Sequence, residues 1–153
     1  KVLDIFRSWV EYNKGWDLIL SAPSAKREKT VQSLIQLSGI QYCMDNNFDF
    51  TFEPNEGPGP ADIKISRGAK DKTIIEVKLN TNPDYLHGYE EQLETYAKAE
   101  RTEKCIYVYV KVEKHPERDK KIQQLHAKKK SSGEIVPYLY IIDAQRKLSA
   151  SRK

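Results

Sequence analysis

Residues 61–79 read ADIKISRGAKDKTIIEVKL, and two short alternating runs within that stretch decide the fold. Side chains of a β-strand point to opposite faces in turn. In Asp62–Ser66, Ile63 and Ile65 therefore take one face, and Asp62, Lys64 and Ser66 the other. In Thr73–Leu79, Ile75, Val77 and Leu79 share one face, and Ile74, Glu76 and Lys78 the other. Gly68–Lys72 reads as a hairpin turn, so the two strands pair antiparallel. Asp62 can then lie on the same face as Glu76 and Lys78. Two carboxylates and an ammonium there have two explanations. One is a salt-bridged, solvent-exposed sheet face. The other is a divalent-cation site, because Mg²⁺ takes oxygen ligands, usually one or two carboxylates with waters and phosphate oxygens. Such a cation neutralises charge building on a phosphodiester and acidifies a bound water. A neighbouring lysine can orient that water or assist its deprotonation.

The flanking segments supply the rest of an α/β domain. Val2, Ile5, Phe6, Trp9 and Val10 recur at helical spacing, predicting a helix over 2–13 that ends at Asn13 and Gly15. A second helix is expected from Ser24, with Pro23 near its first turn, to a stop at Gly39. Its apolar stripe is Val31, Leu34 and Ile35, with Ile40 just beyond. FDFTFE (48–53) alternates like a half-buried strand, and Glu56–Pro60 is a Gly/Pro bend. Downstream, Asn82-Pro83-Asp84 opens a helix expected over Pro83–Glu100. CIYVYVKV (105–112) suits a central strand covered on both faces. A basic helix near 117–130, a turn at Ser131–Gly133 and a strand over 137–142 complete the chain. This order predicts a central mixed sheet of about five strands flanked by helices on both faces.

At 153 residues the chain fits one domain, 1–153. Within it we expect an N-terminal helical extension (1–22), a core (24–142) and a basic tail (143–153). Residue 1 is Lys, which suggests a domain cut from a longer protein. No apolar run approaches the roughly 20 residues that span a bilayer. Cys43 and Cys105 lie outside any Cys/His ligand spacing, which argues against zinc and for reduced thiols in a cytoplasmic protein. His87, His115 and His126 show neither ligand nor triad spacing and read as surface residues. The formal net charge is +4. Residues 111–130 carry eight Lys/Arg against three Asp/Glu, and the last eight residues carry four Lys/Arg and no acid. A solvated helix with a frayed tail would explain this pattern. If the partner is a polyanion, Lys120, Lys121, Lys128, Lys129 and Lys130 are the candidate backbone contacts. Nothing resembles a base-reading element, and a homodimer is left open.

Gly59-Pro60-Ala61-Asp62 followed by Ile75-Glu76-Val77-Lys78 resembles the PD-(D/E)XK nuclease superfamily, the restriction-endonuclease-like fold. The resemblance covers roughly residues 24–112. Ala61, between Pro60 and Asp62, departs from the usual pattern without touching the acidic ligand. The resemblance implies that Asp62, Glu76 and the backbone carbonyl of Val77 hold Mg²⁺ or Mn²⁺, and that Lys78 addresses the attacking water. It also implies that a glutamate of the first core helix reaches the metal, and Glu28 is the candidate, with Glu11 and Glu53 as substitutes. Favourable interaction of a first-turn acid with the helix dipole is the plainer account of Glu28.

Gln92 and Tyr96, at i and i+4 on one helix face, resemble the Gln-x-x-x-Tyr motif of one branch of that superfamily. The branch includes nuclease domains of bacterial recombination exonucleases and some phage exonucleases. In it the pair borders the active site. Tyr85 and Tyr89 continue the stripe, and tyrosines packing on the sheet are the plainer account. The function implied is metal-dependent hydrolysis of DNA phosphodiester bonds in defence, repair or mobile-element processing, with DNA and other domains of a parent protein as partners. The alternatives are a catalytically inactive module of the same fold that binds nucleic acid or a protein, and an accessory domain whose partner supplies specificity.

Overall fold

A computed structural model describes residues 1–52 and 61–147. Glu53, the bend at 56–60 and the tail beyond Lys147 lie outside the described residues. Five strands form one sheet in the order β1-β2-β3-β4-β5: β1 Asp49–Phe52, β2 Ile63–Arg67, β3 Asp71–Leu79, β4 Cys105–Lys111 and β5 Tyr138–Asp143. β1, β2 and β3 form an antiparallel meander in which Ile63 faces Ile75 and Lys64 faces Ile74. β3, β4 and β5 run parallel, as helical crossovers require. The mixed α/β sheet is therefore the architecture that the strand and helix order predicts.

Helices cover both faces. α1 (Val2–Tyr12), α2 (Gly15–Ser21) and α3 (Arg27–Asp45, entered through a 3₁₀ turn at Ser24–Lys26) cover one. There Val2, Phe6, Val10, Ile19, Val31 and Ile35 pack with Ile63, Ile75, Val77, Val108 and Val110. The crossover from β3 to β4 is α4 (Tyr85–His87), a π turn (Gly88–Gln92) and α5 (Leu93–Glu100), in continuous succession. With α6 (Pro116–Ser131) it covers the opposite face, where Tyr85, Tyr89, Leu93, Tyr96 and Ile122 bury Ile74, Tyr107 and Tyr109. The alternation of Ile75, Val77 and Leu79 against Ile74, Glu76 and Lys78 is the one the strand pattern predicts.

Four expectations are corrected. Gly39 does not stop the second helix, which runs on to Asp45. Gly39 lies where α3 meets α1, and a Cβ there would stand 2.5 Å from Val2 Cγ1. Gly15 does not merely end the first helix but opens α2, with the Trp9 ring against it. Residues 1–22 are not an appendage, since Val2, Leu3, Phe6, Val10 and Ile19 belong to the main core. The crossover helix also begins at Tyr85 rather than Pro83.

Candidate active site

β3 outruns β2, and the site is built where it does so. The last paired residues are Ile63 and Ile75, and the next register position sets Asp62 across from Glu76. Along β3 the N–H groups of Ile74 and Asn80 donate toward β4, to Lys104 O and Val110 O. Those of Val77 and Leu79 therefore point the other way, past the end of β2. Two side chains meet them. Asp62 Oδ2 accepts the Val77 N–H at 2.6 Å, and Glu28 Oε2, from the first turn of α3, accepts the Leu79 N–H at 3.1 Å. The carbonyl of Val77 points to the same edge as its N–H, as in any strand.

Side-chain amides hold these acids as well, on the other oxygen of Asp62 and on both oxygens of Glu28. Gln32 Nε2 donates to Asp62 Oδ1 at 2.7 Å, and Asn82 Nδ2 donates to Glu28 at 2.9 and 3.2 Å. Lys78 Nζ lies 2.6 Å from Glu76 Oε1 and 3.8 Å from Glu28 Oε1. Glu76 is 2% exposed, and its Oε2 is buried with no hydrogen-bond partner among the described residues. The structure thus gathers Asp62, Glu76, Lys78 and Glu28 at one end of β3.

The electrostatics are those of crowded, buried acids. Burial first, and repulsion from Glu76 second, raise the Asp62 carboxyl to about 7, against the pull of the Val77 N–H and Lys78. Burial also raises Glu76, outweighing the attraction of Lys78. Burial alone would lower Lys78, but Glu76, Asp62 and Glu28 together hold its proton and raise it. Lys78 is therefore an ammonium at neutral pH.

Tyr96 and Gln92 border this group. Burial, then the Glu76 charge, raises the Tyr96 phenol. Gln92 Oε1 is buried with no hydrogen-bond partner among the described residues. Both come from the segment that contains the π turn, and π turns recur at functional sites. A Cβ at Gly88, also in that turn, would lie 3.0 Å from Lys78 Cε and 3.2 Å from Gln92 Oε1. Tyr85 and Tyr89 pack into the core of that face, in line with the plainer account of the stripe. Tyr89 also bonds His126 Nδ1 at 2.7 Å, so His126 is half-buried rather than a surface residue. Glu11 lies elsewhere, accepting the Asp143 N–H.

The donor set suits a hard divalent cation. It offers two carboxylates, one with a buried oxygen that has no hydrogen-bond partner among the described residues, beside a backbone carbonyl. Among the described residues no three His, Cys, Asp or Glu side chains are already arranged to hold a metal ion. Glu28 lies one step further along the edge of β3, on the Leu79 N–H and Asn82, so Asp62, Glu76 and the Val77 carbonyl would hold the ion and Glu28 would adjoin it.

The lysines of α6 are not gathered with these residues. α6 meets the site-bearing segment after β3 through Arg118, which donates to Asn80 O and Asn82 O, and through Asp119 at Asn80. Lys128, Lys129 and Lys130 lie about 15–18 Å further along the helix axis. Lys120, Lys121, Lys128 and Lys130 are exposed, while Lys129 pairs with Glu134 at 3.1 Å. Three residues of the site are not visible from sequence motifs: Gln32, Asn82 and Gly88.

The fold and site define an α/β domain with a cluster of three acidic side chains and a lysine at the end of its middle strand. The family model matching residues 1–114 is described as a domain of unknown function (DUF8371), and the chain belongs to this family. The matched region contains all four residues gathered at the end of β3, and α6 and β5 lie beyond it. No curated protein and no solved structure matches the chain. Among the described residues no helix is long and apolar enough to cross a membrane.

Proposed function

We propose that this domain is a metal-dependent nuclease of the PD-(D/E)XK type that hydrolyses phosphodiester bonds of DNA. The observation that carries the reading is the meeting of Asp62, Glu76 and Lys78 where β3 outruns β2, with Glu76 Oε2 buried and lacking a hydrogen-bond partner among the described residues. A buried carboxylate oxygen without a partner is costly, and a bound cation removes that cost. Asp62, Glu76 and the Val77 carbonyl would hold Mg²⁺ or Mn²⁺. When bound, the ion supplies charge neutralisation at the phosphate and acidification of a coordinated water.

The remaining roles belong to the chain itself. Lys78, kept as an ammonium by its three acidic neighbours, donates to the attacking water or to the phosphate and steadies the charge that develops there. Gln92 and Tyr96 line the same side and orient the substrate. Glu28 holds the end of β3 against α3 and adds negative charge beside the ion. The exposed lysines of α6 suit sequence-independent contacts to the DNA backbone, which weaken with salt.

A second reading, a catalytically inactive module that binds nucleic acid or a protein, is favoured by one observation: Asp62 and Glu28 are already hydrogen-bonded within the protein. The test is to incubate linear and circular DNA with the protein and with Lys78→Ala, with and without Mn²⁺. Cleavage that needs the ion and that Lys78→Ala loses supports the nuclease. Equal cleavage by both proteins rejects it. Salt-sensitive binding without cleavage selects the inactive module.

A further inference from the structure

We propose that Gln32 and Asn82 are positioning residues, Gln32 aiming Asp62 at the cation and Asn82 fixing Glu28 beside it, an inference that rests on the nuclease reading. Each carboxylate is held by the same two kinds of donor. One is a backbone N–H of β3, from Val77 for Asp62 and from Leu79 for Glu28. The other is a side-chain amide from a different element, Gln32 of α3 for Asp62 and Asn82 of the β3–α4 connection for Glu28. Gln32 is 5% exposed and lies on the helical stripe that otherwise buries Val31 and Ile35. Burying an amide is costly unless it is bonded, and the bond of Gln32 is to Asp62.

The geometry explains why two donors are needed. A carboxylate has about four lone-pair sites. One N–H leaves the group free to turn about its own bond. Donors on both oxygens, 2.7 Å on Oδ1 and 2.6 Å on Oδ2, fix the plane of Asp62. The remaining lone pairs of each oxygen are then presented in one direction. Partners of this outer kind typically change metal affinity or activity about 10–100-fold when removed.

The experiment measures Mn²⁺ affinity of the full chain by titration calorimetry, with the melting temperature of the metal-free protein as a control. Gln32→Met keeps the length of the side chain and removes the donor, and Asn82→Ala removes the other amide. Each is expected to weaken Mn²⁺ binding roughly tenfold or more, with kcat lowered and KM for DNA little changed. Should Gln32→Met fail to fold, Gln32→Asn, which keeps the amide one methylene short, takes its place with the same expected direction. Folded Gln32 and Asn82 variants that bind Mn²⁺ as tightly as the unsubstituted protein would overturn the positioning role and leave the nuclease reading standing. Absence of Mn²⁺ binding in the unsubstituted protein, or binding unaffected by Asp62→Asn, would overturn the cation site and this inference with it.

Discussion

The Asp62 carboxylate takes the Val77 N–H at 2.6 Å, in the place that the next backbone carbonyl of β2 would occupy if the ladder continued. One side chain thus ends a strand pair and faces the site. The two roles separate on substitution. Asp62→Ala leaves the Val77 N–H and the Gln32 amide without their acceptor, and should destabilise the metal-free protein by about 1–3 kcal/mol. Asp62→Asn keeps an oxygen for Val77 and removes the repulsion with Glu76, so at neutral pH it should be at least as stable as the unsubstituted protein. Both should lose Mn²⁺ binding. Urea unfolding at pH 7.5 ranks them, and an Asp62→Asn less stable than Asp62→Ala would show that the hydrogen bond to Val77 contributes little.

Stability without metal should fall as pH rises. Asp62 in the folded chain is raised from 3.8 to about 7, and Glu76 is raised as well. Between those limits the folded state binds more protons than the unfolded state, so stability is present at the acid end and lost on approach to pH 7. The effect should be on the order of a few kcal/mol. Unfolding measured with chelator from pH 4.5 to 7.5 should show the decline, and Asp62→Asn should flatten it. Saturating Mn²⁺ should restore stability at the upper end, because the ion binds the ionised carboxylates. A profile that rises across this window would mean that the two acids ionise in the folded protein much as they do in the unfolded chain.

Gly88 should tolerate alanine for folding and not for activity. A Cβ there lies 3.0 Å from Lys78 Cε and 3.2 Å from Gln92 Oε1. Replacing glycine inside a helix gains up to about 1 kcal/mol of helix propensity. Lys78 can give way by a few tenths of an ångström, so the net change in stability should stay within about 1 kcal/mol. The shifted ammonium meets Glu76 and the substrate in an altered geometry, and cleavage should fall tenfold or more. Gly88→Ala with unchanged kcat would show that the position of Lys78 is not critical.

Much of the fold can be read from 61–79 because two strands and a turn carry their periodicity in the residues themselves. The faces of Ile75, Glu76, Val77 and Lys78 follow from alternation, and the register then brings Asp62 across from Glu76. The amides and the turn that shape the site are not legible in the same way. Gln32 meets Asp62 across 30 positions, and Asn82 meets Glu28 across 54. A lone Gln on a helix or Asn in a connection carries no mark of such a partner. The π turn leaves no composition signal either, and Gly88 within it reads as an ordinary helical glycine. Glycine is ambiguous for a further reason: a helix stop and a site of close approach ask for the same absent side chain, and only the neighbour tells them apart.

Gly39 is the case that tests this. It lies inside α3, and an added Cβ would stand 2.5 Å from Val2 Cγ1 and 3.3 Å from Phe50 Cε2. Val2 is buried at the base of α1, with little room to retreat. Gly39→Ala should gain about 1 kcal/mol of helix propensity and lose more to overpacking, which typically costs about 1–3 kcal/mol. Its net effect should be destabilising. Val2→Ala removes both γ-carbons from the contact, so the double variant should be less destabilised than the sum of the two single changes by about 1 kcal/mol or more. Thermal or urea unfolding of the four proteins measures that coupling. Strict additivity would mean that α1 shifts away from α3 at little cost, and that Gly39 serves no close contact after all.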